Sequence, residues 1–466
     1  MSEVKDKLSK VKQDLASISP TMCIAKWKQV TLHLHNGRTH SCHHPYPHGI
    51  SSKEIQSNPS ALHNTSEKKE ARKEMLKGKR PKECQYCWNV EDLELFSKGE
   101  IFSDRITKSS EHWAHHHLDD IRKLDHKQNV NPSYVEVSFS NLCNFKCSYC
   151  SPVYSSKWQE EIETHGPYNT SNKLNNLDYF KRIGEMPLSN KLPNPYVEAF
   201  WKWWPDLINS LEVFRITGGE PLLNDNTFKV LDYLTEHPQP NLKLGVNTNG
   251  NAPQKLMDSF IEKVRHLVAE KKISAFTAFI SLDGYGPYAE YGRHGLNYET
   301  WVTNVNKILS EIPGSNIVIM CTTNIFSVPE FKKFVEMTYD LKAKYSRRRI
   351  NVDINILRFP HHQNLTILTE SFKTSFDDTL AYMKANEAKT GAEIEAPGFS
   401  VHEINSLERL IEYVKNGPHP KEKIALTYAR ADFYKFVTEH DRRRGTKFLE
   451  TFPQLQSFYD ICKMLS

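Results

Sequence analysis

The sequence predicts an α/β fold: a six-stranded parallel (β/α)6 sheet, open or curved into a partial barrel, with a small cysteine-rich α+β module before it and a helical extension after it. Three observations carry this prediction. Between residues 133 and 360, six short apolar or alternating runs are separated by long helical or irregular stretches, which calls for crossover connections and parallel pairing. Polar motifs follow the ends of the first four runs, on the rim where α/β folds gather their chemistry. Seven of the nine cysteines lie before residue 151.

Residues 1–22 read as a charged helical lead-in, and a cysteine- and histidine-rich module follows at 23–98. Within it, "VTLHLHNGRTHSC" alternates Val30, Leu32 and Leu34 on one face and reaches Asn36-Gly37, a type I′ turn pair, so a hairpin returns Cys42 towards Cys23. "NTSEKKEARKEMLKGKRP" supplies a cap at Asn64 to Ser66, a charged helical body and a stop at Gly78, and hands the chain to Cys84 and Cys87. Residues 99–132 form a linker.

The six strands are expected at "YVEVSFS" (134–140), "LEVFRIT" (211–217), "LKLGVNT" (242–248), "AFTAFISLD" (275–283), "NIVIMCTT" (316–323) and "INVDINIL" (350–357). In "YVEAFWKWWPDL" (196–207), Trp201 and Trp204 share a helical face, which predicts packing against the sheet. Residues 361–466 carry helical periodicity, as in "SFDDTLAYMKANEAK" and "INSLERLIEYVKNG", and no comparable motif.

Lys plus Arg number 61 against 56 Asp plus Glu, a net +5 spread too evenly for a dedicated nucleic-acid surface. "SRRR" (346–349) and "DRRRG" (441–445) read as solvated charge. No apolar run reaches the roughly 18 residues of a membrane span, and "MSEVKDKLSKVKQDL" lacks a secretory apolar core, so the expected location is cytoplasmic. Nine cysteines, an odd number, argue for thiolate–metal chemistry in a reducing compartment rather than for disulfides. Cys321 and Cys462 read as inert thiols.

"SNLCNFKCSYC" (140–150) places Cys143, Cys147 and Cys150 on one short loop. A closed zinc site takes four ligands, and no fourth is near. An iron–sulfur cube held by three cysteines leaves one iron open to a small molecule. After the next three strands come "GGEP" (218–221), "NTNG" (247–250) and "SLDG" (281–284). Gly218 and Gly219 permit close backbone approach, and Glu220 offers a carboxylate. Asn247 with Asn249, and Ser281 with Asp283, share faces by the period of two.

The cysteine triplet, with Tyr149 before its last member and these motifs in order, resembles the signature of the radical S-adenosylmethionine (SAM) superfamily over about residues 133–360. The resemblance implies a partial TIM barrel in which Cys143, Cys147 and Cys150 ligate a 4Fe-4S cluster whose open iron is chelated by SAM. It further implies reductive cleavage of SAM to a 5′-deoxyadenosyl radical that abstracts hydrogen from an organic substrate. Tyr149, Gly218, Gly219, Glu220, Asn247, Asn249, Ser281 and Asp283 then line the SAM site. Arg293, in "SLDGYGPYAEYGRHG", is the candidate to reach the SAM carboxylate, and Leu357 to pack on adenine.

Cys23, Gly37 and Cys42, followed by Cys84-x2-Cys87, resemble the auxiliary-cluster domains called SPASM and twitch, although such a domain usually follows the barrel and here precedes it. The resemblance implies that Cys23, Cys42, Cys84 and Cys87 hold one auxiliary 4Fe-4S cluster; a structural zinc on the same thiolates is the alternative. The histidines of "HSCHHPYPH" (40–48) and "EHWAHHH" (111–117) read as solvated loops. By family analogy, the substrate expected first is a peptide or protein. A nucleotide or carbohydrate, or a non-catalytic iron–sulfur or zinc module, is the alternative. The electron donor expected is a flavodoxin or ferredoxin, with no membrane partner.

Overall fold

The structure, a computed structural model, describes residues 2–388, 396–417 and 424–466. The helical stretch expected at 375–389 ends on Lys389, outside the described residues, as do 390–395 and 418–423 of the helical extension. The strands in chain order are β1 (Gln29–His33), β2 (Arg38–His40), β3 (His48–Gly49), β4 (Tyr134–Ser138), β5 (Lys146–Cys147), β6 (Val213–Thr217), β7 (Gln239–Thr248), β8 (Ile273–Ser281), β9 (Arg293–His294), β10 (Asn316–Thr323) and β11 (Ile350–Ile356). The chain packs as two compact units. One comprises Met1–Ser140, Pro187–Gly218 and Gln239–Gly245; the other comprises Asn141–Met186, Gly219–Pro238 and Val246–Ser466.

In the first unit the expected hairpin forms, with Thr31 opposite His40 and Leu32 opposite Thr39, and β3 continues antiparallel to β2. One pairing was not legible in the sequence. β1, which the sequence assigns to the cysteine-rich module, runs parallel to β4, Val30 beside Val135, and β4 runs parallel to β6. Because side chains alternate along a strand, the three strands share two contrasting faces. Val30, Leu32, Val135, Val137, Phe214 and Ile216 are fully buried on one. Helix Pro195–Leu207 covers that face, with Trp204 and Phe200 centred 5.0 and 6.3 Å from the Phe214 ring. Trp203 and Trp204 are the buried tryptophans of this helix, while Trp201 is half-buried. The opposite face is polar, with Thr31, His33, Glu136, Ser138, Arg215 and Thr217. Helix Ser66–Leu76 begins where Thr65 accepts the Lys68 N–H at 3.2 Å, and delivers the chain to Cys84 and Cys87.

In the second unit β8, β10 and β11 are parallel, with Ile319 of β10 opposite Ile280 and Val352. Helices Tyr298–Glu311 and Phe331–Tyr345 make the crossovers between them. β5 pairs antiparallel with β9, setting Cys147 opposite Arg293. The C-terminal region is helical at Asp377–Ala385, Val401–Asn416, Leu426–Arg444 and Gln456–Met464. Glu403 fixes the second of these helices. It closes a capping box with Ser400, accepts the Val352 N–H of β11 at 2.9 Å, and pairs with buried Lys342 at 2.8 Å. The chain is thus an α/β protein with mixed, mainly parallel pairing and a helical C-terminal region. Among the described residues, no helix is long and apolar enough to cross a membrane.

Candidate active site

The loop after β4 carries the cysteine triplet, and its backbone is held on several sides. Ser155 Oγ donates to the Phe145 carbonyl at 2.7 Å and caps helix Ser156–His165, whose Trp158 indole N–H donates to the Cys147 carbonyl at 2.8 Å. Ser148 N–H donates to the Gly292 carbonyl at 2.8 Å. Gln363, which sequence reasoning missed, grips Ser148 twice, accepting its hydroxyl at 2.8 Å and donating to its carbonyl at 3.0 Å. Cys143 Sγ accepts the Phe145 N–H at 3.4 Å. All three thiols are free, Cys147 buried and the other two half-buried. Burial pushes the Cys143 and Cys147 thiols above their usual range, and that of Cys150 up to about 12. Without a bound cation these sulfurs keep their protons at neutral pH.

The other motifs converge on this loop. Gly218 has φ +132°, a region L side chains rarely adopt. A Cβ on Gly219 would lie 2.2 Å from the Leu142 carbonyl oxygen, and the next N–H, of Glu220, donates to that oxygen at 2.6 Å. The Glu220 carboxylate is buried. One oxygen accepts the Thr248 hydroxyl at 2.9 Å and the Leu222 N–H at 3.2 Å, and the other accepts the Asn249 N–H at 2.6 Å. Glu220 therefore clasps "GGEP" to "NTNG". Burial pushes its pKa up to about 7 despite these donors. Asn249 Nδ2 donates to Asn144 Oδ1 at 2.8 Å, and Asn144 Nδ2 to the Asn251 carbonyl at 2.8 Å. Asn144 was also missed, although it stands inside "CNFKC".

Tyr149, Asp283 and Arg293 form one buried network. The Tyr149 hydroxyl donates to Asp283 Oδ2 at 2.7 Å and accepts from Arg293 Nη1 at 2.5 Å, while Arg293 Nη1 also reaches Asp283 Oδ2 at 3.0 Å. Asp283 Oδ1 accepts the Thr322 N–H at 2.8 Å. Arg293 Nε is buried with no hydrogen-bond partner among the described residues. Asn247 and Ser281 are half-buried, and the Ser281 carbonyl accepts the Trp301 indole N–H at 3.2 Å. Leu357, 6% exposed, is held by Thr323 through its N–H and by Asn364 through its carbonyl.

In the first unit Cys23, Cys42, Cys84 and Cys87 line one cavity together with Lys26 and Arg105. Four sulfurs from a helix entry, a hairpin exit and a short helix meet there, as the hairpin and the helix predicted. Burial raises Cys23 and Cys87 and pushes Cys84 up to about 12. Two buried cations stand beside them. Lys26 pairs with Glu83, and Arg105 binds Glu91 through two nitrogens at 2.8 and 3.0 Å. Burial opposes the Lys26 charge, yet Cys84 and Glu83 hold its pKa above the usual value. The histidines of 40–48 are not all solvated. Burial lowers His40 and His48 to about 4, because the hairpin folds them inward.

A model of the Radical SAM superfamily matches residues 137–335. The chain is similar to the radical SAM cyclopropyl synthase TigE of Paramaledivibacter caminithermalis, 23% identical over 173 residues, which is 36% of this chain and 32% of that protein. It is also similar to GTP 3′,8-cyclase of Clostridium acetobutylicum, 27% identical over 124 residues, 27% of this chain and 29% of that one. The chain thus spans about a third of the length of the curated relatives it matches. Among solved structures, Streptococcus suis SuiB bound to the precursor peptide SuiA aligns with TM-score 0.36 and 14% identity over 83% of this chain and 75% of that chain. Native anSMEcpe with bound AdoMet aligns with TM-score 0.31 and 12% identity over 70% of this chain and 98% of that chain.

Proposed function

We propose that this enzyme, a member of the radical SAM superfamily over residues 137–335, holds a 4Fe-4S cluster on Cys143, Cys147 and Cys150, binds SAM beside it and abstracts hydrogen from an organic substrate. The observation that supports this reading most is convergence. Glu220, Asn249, Asp283 and Arg293, from three different motifs, all bond to the cysteine loop or to one another within 3.2 Å of their partners.

The residues fit the group. Three free thiols on one loop suit a cube with an open iron. Arg293 Nε is a buried donor left over for a carboxylate, and Gly219 keeps the loop free of a side chain. Bound there, the cluster and SAM supply a 5′-deoxyadenosyl radical by one-electron reduction. The chain orients and shields. Asp283 and Tyr149 fix the Arg293 fork, Asn144 and Asn249 lock two loops together, and the burial of Cys147 and Asn249 excludes water. We take the strands at 133–360 as a (β/α)6 partial TIM barrel with this site at its C-terminal rim.

The reading extends to a second 4Fe-4S cluster on Cys23, Cys42, Cys84 and Cys87, with Lys26 and Arg105 offsetting its thiolate charge, in a twitch-like arrangement. A peptide or protein is the substrate class we favour, by family analogy, with a flavodoxin or ferredoxin as reductant. GTP 3′,8-cyclase among the relatives makes a nucleotide the second reading.

Anaerobic purification and reconstitution test the proposal. About eight irons per chain correspond to two cubes, and four with one zinc to a structural zinc in the N-terminal module. Dithionite and SAM should then yield 5′-deoxyadenosine. A Cys143/Cys147/Cys150→Ala variant should lose that product and keep the N-terminal metal. No 5′-deoxyadenosine from fully reduced wild type would overturn the reading.

A further inference from the structure

The histidines of "EHWAHHH" form a site that neither cluster uses. His116, His117 and Glu212 bring their ligand atoms within 4.8 Å of one another, His116 Nε2 standing 3.0 Å and His117 Nε2 3.3 Å from Glu212 Oε1. A tetrahedral ion with bonds of about 2.0–2.1 Å spaces its donor atoms by roughly 3.3–3.4 Å. We propose that His116, His117 and Glu212 bind a zinc ion, with the fourth position open to water.

The tautomers favour a cation here. His116 Nδ1 lies 2.8 Å from the His112 carbonyl oxygen, and a carbonyl only accepts, so Nδ1 carries the proton. In the neutral ring the Nε2 lone pair then faces a carboxylate oxygen 3.0 Å away, an acceptor–acceptor contact that a cation bound to both atoms relieves. A backbone carbonyl orienting the far nitrogen is also the outer-shell device that metal-bound histidines use. His117 Nε2 is buried without a hydrogen-bond partner among the described residues.

The ligands are preorganised through one residue. Ser133 Oγ donates to the Trp113 carbonyl at 2.5 Å, holding the histidine turn, and the Ser133 carbonyl accepts the Glu212 N–H at 2.8 Å. The ion would brace the 112–118 segment against the start of β6.

The test is independent of SAM chemistry. Iron–sulfur-loaded protein, stripped of loose metal, is titrated with Zn2+ against a chromophoric chelator and melted with and without Zn2+. Wild type should take up one zinc more per chain than His117→Ala or Glu212→Gln, and only wild type should gain melting temperature from zinc. The variants should lose more than the roughly tenfold in affinity that removing an outer-shell partner costs. Equal stoichiometry and affinity in all three proteins would leave an imidazolium–carboxylate pair only and overturn the proposal. Glu212→Gln keeps the side-chain shape at a half-exposed position, so a folded variant is available even if His117→Ala is unstable.

Discussion

Arg293 and Asp283 are buried together, their side chains 8% and 5% exposed, with Nη1 3.0 Å from Oδ2. β9 delivers the arginine opposite Cys147, and the loop after β8 delivers the aspartate. Removing the carboxylate leaves a desolvated guanidinium without its counter-charge. Asp283→Ala should therefore lose about 3–5 kcal/mol of unfolding free energy. Urea denaturation checks this, and a midpoint equal to wild type would mean that the pair does not carry the charge balance of the site.

Gly219 admits no side chain. Alanine would place a Cβ 2.2 Å from the Leu142 carbonyl oxygen, and backbone must shift to relieve it. Gly219→Ala should lose about 1–3 kcal/mol of stability and most 5′-deoxyadenosine formation, while still binding iron on the three cysteines. Iron content alongside product assay separates the two effects.

Glu220 makes stability depend on pH. Its pKa is raised by burial from 4.5 to about 7, so between these values the folded state holds a proton the unfolded chain has released. Its contribution is present below pH 4.5 and is lost as pH rises to about 7, on the order of 3 kcal/mol. The glutamine variant titrates in neither state, so the unfolding free energy of Glu220→Gln should fall less than that of wild type over that interval. Parallel curves would show that Glu220 stays ionised in the fold.

Lys26 sets the charge around Cys84 and Cys42. Lys26→Met would remove a buried positive charge beside the proposed N-terminal cluster, which would make its reduced state harder to reach. The reduction potential of that proposed cluster should fall by on the order of tens of millivolts, read by redox titration with electron paramagnetic resonance. An unchanged potential would place Lys26 in a purely structural pair with Glu83.

Much of the second unit was legible because its information is local. The alternation in "NIVIMCTT" located β10 to the residue, and the triplet spacing identified Cys143, Cys147 and Cys150 as one loop. What escaped depends on contacts far apart in sequence. Gln363 grips Ser148 across 215 positions, and nothing in "HHQN" signals it. The sequence marks Glu220 as a carboxylate after the second strand, but not that its oxygens receive Thr248, Leu222 and Asn249, because a buried carboxylate takes the donors its neighbours offer. The histidines of 40–48 and 111–117 look hydrophilic in sequence, yet several fold inward once the hairpin and the turn place them.

The parallel register of β1 with β4 bears on how the chain is made. β1 and β2 form a local hairpin early in synthesis, but the parallel partner of Val30 is Val135, about a hundred positions later. Until the ribosome has released that stretch, one edge of the nascent hairpin stays open, a template for pairing with a neighbouring polypeptide. The converse holds for truncation. A recombinant chain begun at residue 51, without β1 to β3, would start life with β4 as a bare sheet margin, so loss of the first fifty residues should appear as aggregation before it appears as missing iron.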